Sequence, residues 1–100
     1  MANELLNEMH PGRTIQEDVL KPLGLRVNAL ARKLHVSPTR LNDVVRGRRG
    51  ITADTALRLA HYLRTSGQFW LNLQSIYELN VAEHEKGGTI KRQVKPRQAA

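Results

Sequence analysis

One hundred residues suffice for a single domain with a small core, so burial shared with a second copy would add stability. Sixteen basic residues against nine acidic ones leave a net charge of +7 and a pI near 10.6, which points to an anionic partner, nucleic acid before a membrane surface. The lack of cysteine excludes a disulfide framework and a thiolate zinc site, and with neither a membrane-length apolar run nor a charged-then-apolar leader the expected location is the cytoplasm.

No segment alternates with a two-residue period, so the spacing predicts an all-α fold of five helices. These form one domain over 8–83, followed by a flexible basic tail over 84–100. A first helix is expected over Pro11–Leu20, burying Ile15, Val19 and Leu20. Pro22-Leu23-Gly24 should end it, because proline disfavours helix in the residue before it.

Residues 27–47 come next and are the most informative. Leu30, Ala31 and Leu34 mark one face of a short helix, Val36 sits in a tight break, and Leu41, Val44 and Val45 repeat the spacing. Two short amphipathic helices so separated make a helix-turn-helix. Ser37 is an N-cap, Pro38 suits the first helical position, and Gly47 suits a left-handed C-terminal cap. From Arg26 to Arg49 seven basic residues face one acid, Asp43, so the positive charge coincides with the motif. Such a pair presents the start of its second helix outward, at a size that fits the DNA major groove.

A fourth helix is expected over Ala53–Leu63, capped by Thr52, with Ala56, Leu57, Ala60 and Leu63 inward and Asp54 near its positive end. Thr65 and Gln68 read as a capping box opening a fifth helix that runs to about Glu83. Phe69, Trp70, Leu71, Leu73, Ile76, Tyr77, Leu79 and Val81 make that helix apolar over more than one face. Either it is central to the fold or it keeps a face for a second subunit, with Trp70, Leu73, Ile76 and Tyr77 as the expected dimer contacts. Beyond it, Gly87-Gly88, Pro96 and five basic residues from Lys86 to Arg97 suggest a loosely ordered end. That end would hold DNA beside an operator, meet a protein partner or stay solvated.

The candidate base-reading residues are Ser37, Thr39, Arg40, Asn42 and Asp43. Arginine matches guanine O6 and N7, asparagine matches adenine, the threonine methyl meets thymine, and a carboxylate accepts from cytosine N4. Ser37 also caps its helix, and Asp43 equally well orients Arg40 and Arg46, each three residues away. Candidate contacts to the DNA backbone are Asn28, at the start of its helix, with Arg46, Arg48 and Arg49. Histidines 10, 35, 61 and 84 lack zinc-ligand spacing, and His10 reads as a helix-start residue. No nucleophile–base set, paired acids or phosphate loop is present, so neither catalysis nor a cofactor or metal is expected.

His10-Pro11-Gly12, Pro22-Leu23-Gly24-Leu25, the helix-turn-helix, Gly47-Arg48-Arg49-Gly50-Ile51-Thr52, the Thr55–Ala60 run, Phe69-Trp70-Leu71-Asn72-Leu73-Gln74 and Tyr77-Glu78-Leu79 together carry a family likeness. Over residues 9–82 the chain resembles the HigA antitoxins of type II toxin–antitoxin modules, within the Xre/lambda-repressor-like group. The resemblance implies a homodimer closed partly by the last helix. It also implies binding of a HigB-type, RelE-like mRNA-cleaving toxin and repression of the chain's own operon at a palindromic operator. A stand-alone repressor without a toxin is the alternative. Two positions depart from the pattern: His35 where the turn usually has glycine, and Arg13 where an acid usually follows His-Pro-Gly.

Overall fold

The computed structural model describes residues 9–98. Position 8, the expected start of the domain, and the last two residues of the tail lie outside that range. Five helical segments follow in chain order, with no strand among the described residues. The first, α1, joins Pro11–Thr14, a π-helical stretch Ile15–Leu20 and Lys21–Leu23. Then come α2 (Val27–Leu34), α3 (Pro38–Val45), α4 (Ala53–Leu63) and α5 (Gly67–Gln93).

The core draws on every helix: Ile15, Val19 and Leu20; Leu30, Ala31 and Leu34; Leu41 and Val44; Ala56, Leu59 and Ala60; and Trp70, with Ile51 from the α3–α4 loop. Close packing sets the fit of α1 on α3. A Cβ at Gly12 would collide with the carbonyl oxygens of Val44 and Val45. Only glycine lets α1 seat on the end of α3.

Four expectations need correction. Proline does not stop α1 at Leu20, and the helix runs through Pro22 to Leu23. The N–H of Lys21 reaches back to the carbonyl of Gln16, one residue further than in an α-helix. That widened turn makes room for a ring that would otherwise press on the preceding turn. Gly24, at φ 63°, ends the helix instead, with Gly24 N–H donating to Lys21 O (3.2 Å) and Leu25 N–H to Leu20 O (3.0 Å).

In α4, Leu57 is 64% exposed and Leu59 is 0% exposed, so the inner face is 56, 59, 60 and 63. The α5 cap is Ser66, whose Oγ accepts from Phe69 N–H at 3.0 Å. Thr65 instead accepts from Trp70 Nε1–H at 2.8 Å, and Gln68 donates to Asn72. Last, α5 ends at Gln93 rather than Glu83, so residues 84–93 are helical and not a loose tail. Each helical glycine costs roughly 1 kcal/mol relative to alanine. Elongating a helix already nucleated by packing is nevertheless cheap, and Lys91 and Arg92 suit its negative end.

His35 takes the left-handed conformation that glycine normally supplies, at φ 57°. Its N–H bonds Arg32 O (3.2 Å), and Val36 N–H bonds Ala31 O (3.0 Å). The turn between α2 and α3 thus keeps a glycine-type closure despite the Cβ, at a cost of roughly 1–2 kcal/mol.

Candidate nucleic-acid interface

The candidate reading surface is built on α3. Ser37 Oγ accepts from Arg40 N–H at 3.0 Å, Pro38 occupies the first turn, and Leu41 and Val44 are buried. At about 100° per residue, Thr39, Asp43 and Arg46 then stand opposite the buried pair, with Asn42 beside them. Thr39 and Arg46 are exposed, and Asn42 and Asp43 are half-buried. Gly47, at φ 76°, reverses the chain so that Arg48 and Arg49 both donate their N–H groups to Asp43 O, at 2.8 and 3.2 Å. Their side chains are left exposed beside the end of α3.

The start of α2 is also open. Its N-cap, Arg26, makes no side-chain cap hydrogen bond, and the helical ladder begins with Leu30 N–H on Arg26 O. The N–H groups of the first turn, Asn28 among them, are therefore available to an anion. Asn28 is exposed.

Arg40 goes elsewhere. Its Nη2 donates to Thr52 Oγ1 at 2.8 Å and to Thr55 Oγ1 at 2.6 Å, both at the start of α4. Arg58 makes a matching link from α4 to α2: its Nη1 donates to the carbonyls of Leu34 (3.0 Å) and His35 (3.3 Å), covering the end of that helix. Asp54 lies between the two arginines, 2.6 Å from Arg58 and 4.0 Å from Arg40. The hydrogen bond from Arg58 chiefly holds its carboxyl below the ordinary range; burial opposes this, and the positive charge of Arg58 and then of Arg40 adds to the lowering. One turn of α4 thereby braces both helices of the motif. Arg58 and the two threonines were not legible as site residues, since their partners lie 12–24 residues away.

Support also comes from His10. Its Nδ1 accepts from Gly12 N–H at 2.9 Å, capping α1, and its ring meets Tyr77 of α5 edge-on with centroids 4.7 Å apart. Nδ1 must be unprotonated to accept. Burial pushes the imidazole below its ordinary value, and the Glu78 carboxylate offsets part of that shift. The folded chain therefore binds fewer protons than the unfolded one. Stability from this group is full above the ordinary histidine value of 6.5 and falls as pH drops through the lowered one. Urea midpoints measured from pH 7.5 down to 5 should decline, and His10→Asn, which keeps an acceptor but does not titrate, should flatten the decline. Equal pH dependence in both chains would clear His10 of this role.

The expected dimer contacts divide. Trp70 is a core residue, Leu73 is half-buried against that core, and Tyr77 is half-buried on His10. Ile76 is exposed, together with Phe69, Leu79, Ile90 and Val94. The free apolar face of α5 is thus rotated away from Trp70, Leu73 and Tyr77. Among the described residues no group of three or more His, Cys, Asp or Glu is placed to hold a metal ion, and no helix is long and apolar enough to cross a membrane.

A helix-turn-helix family model matches residues 17–70. Virulence-associated protein I of Dichelobacter nodosus is 55% identical over 83 residues, which cover 80% of this chain and 77% of that protein. The structure of Pseudomonas aeruginosa antitoxin HigA with the higBA promoter is 44% identical, with a TM-score of 0.86 over 89% of this chain and 97% of that one. An addiction module antidote protein of the HigA family from Coxiella burnetii is 39% identical, with a TM-score of 0.84 over 88% and 96% of the two chains.

Proposed function

The chain belongs to the helix-turn-helix family, in its HigA-type antitoxin branch, and from that premise we propose that it represses its own operon as a homodimer and binds a HigB-type mRNA-cleaving toxin in the cytoplasm. The observation that carries the DNA half is the outer face of α3. It offers Thr39, Asn42 and Asp43 to base edges, beside exposed Arg46, Arg48 and Arg49. The open start of α2 adds a place for a phosphate. Base edges supply sequence preference, and the arginines supply affinity without preference. The toxin half is supported by likeness to the HigA antitoxins.

Footprinting on DNA upstream of the gene tests the reading. Two half-sites about one helical turn apart, ~10 base pairs, are expected. Arg48→Ala or Arg49→Ala should weaken operator and random DNA alike and reduce the slope of log K against log salt by about one unit. Scrambled duplexes bound as tightly as the promoter would overturn the specific reading.

A stand-alone repressor is the second reading. The net charge of +7 favours it, since a basic protein partner would gain little from charge pairing. Co-purification with the product of the adjacent gene separates the two, because only an antitoxin should retain that protein.

A further inference from the structure

Arg40 stands near the start of α3, yet its side chain leaves the outer face of that helix. Its direction is about 100° away from that of Leu41, toward α4. There Nη2 is bound by two hydroxyls at 2.8 and 2.6 Å, one of them on Thr55, which is buried, and the other on Thr52, the N-cap of α4. A cation at a helix N-terminus meets the positive end of the helix dipole. Arg40 keeps that position because both threonine oxygens accept from it and Asp54 lies 4.0 Å away.

We infer that Arg40 is a positioning residue: it fixes the roll of α3 against α4, so that Thr39, Asn42 and Asp43 meet the bases in register. The inference rests on the operator-binding reading above. Its physical basis is leverage. The helix is eight residues long and buries only Leu41 and Val44 fully. A roll of about 20° would carry side-chain tips roughly 2 Å at the outer radius of a helix. Hydrogen bonds to base edges operate within a window of about 0.5 Å. The hydrophobic effect is non-directional, so burying Leu41 and Val44 does not by itself set one roll angle at the start of α3, which lies away from the seat of α1 at the helix end. Two directed hydrogen bonds to a neighbouring helix resist it well.

A double-mutant cycle tests this. Thr55→Val keeps the shape of the side chain and, being buried, reaches no DNA. Wild type, Arg40→Ala, Thr55→Val and the double variant are each used to select from a randomised duplex library. Their affinities for the wild-type consensus are then measured where thermal scans show all four folded. Each single variant should lose about tenfold in affinity for the consensus, with preference weakened together at the several base pairs that Thr39, Asn42 and Asp43 meet. The double variant should be no weaker than Arg40→Ala, because both changes remove one interaction. Arg40→Lys should recover part of the loss, since an ammonium can still donate to a threonine oxygen.

Flattened preference at one base pair in Arg40→Ala, with Thr55→Val binding as wild type, would make Arg40 a base reader and overturn the inference. A uniform loss in Arg40→Ala alone would make it a phosphate contact and overturn it equally. A wild-type chain that selects no sequence would instead overturn the operator-binding reading, and that outcome is visible in the wild-type arm by itself.

Discussion

Trp70→Ala should destabilise the protomer by about 3–5 kcal/mol, a large part of the roughly 5–15 kcal/mol that a domain of this size holds. Trp70 is 2% exposed and is the largest fully buried side chain. Its Nε1–H donates to Thr65 Oγ1 at 2.8 Å, and its ring meets Phe69 edge-on at 5.1 Å, so it anchors the joint between α4 and α5. Beside that joint, Gln74 Oε1 accepts from Ile51 N–H at 2.8 Å, tying α5 to the loop after α3. Removing the indole leaves a cavity at the point where α5 is fastened to the motif. Trp70→Phe should cost less, since it keeps most of the apolar surface and loses only the hydrogen bond and some volume. Urea unfolding at several protein concentrations is the measurement. A core role predicts a loss that persists at the lowest concentration, whereas an interface role predicts one that fades on dilution as the wild type also dissociates. A protomer loss under about 1 kcal/mol would refute the core assignment.

What could be read in the chain beforehand follows from the range of the forces involved. The starts of α3 and α4 were legible because Ser37 and Thr52 act on N–H groups within three residues of themselves, and Pro38 suits the first helical position. The end of α1 was misplaced because the rule against proline presumes an α-helical ladder, and Gln16 and Lys21 make a π turn instead. Leu57 and Leu59 differ by two positions with the same chemistry, so only the placement of α2 and α5 decides which is buried. The same holds for α5, whose apolar residues circle the helix and do not say which side meets the body. Arg40 shows the limit at the site itself. Helical spacing says where its Cβ points, but the guanidinium is far enough away to choose partners 12 and 15 residues later. Residues 84–93 read as tail on composition, and the missing consideration was that a packed helix propagates past weak formers.

Charging the outer face of α5 should separate the proposed dimer and leave the protomer folded. Phe69, Ile76, Leu79, Ile90 and Val94 are between 44% and 69% exposed. At about 100° per residue they fall in one stripe about 80° wide, on the side away from Trp70. A run of that length left to water is unusual for a monomer. The charges within and beside it change sign along the helix, with Glu83 preceding Lys86 and Lys91. A parallel partner would set like charges together. An antiparallel partner brings Glu83 to Lys86, with Leu79 facing Ile90. Like-charge contacts are costly and opposite ones fix register, so the antiparallel arrangement is the one expected. Ile76→Asp with Leu79→Asp should sediment as a monomer. Its operator affinity should drop about 10²–10⁴-fold, because the second half-site is no longer held by the same molecule. Since the native chain has no cysteine, register is directly testable. Chains carrying Leu79→Cys mixed with chains carrying Ile90→Cys should cross-link on oxidation, while either alone should not, because only the mixed pair reaches disulfide distance. A doubly charged variant that stays dimeric with unchanged operator affinity would place the subunit contact on another face of the molecule.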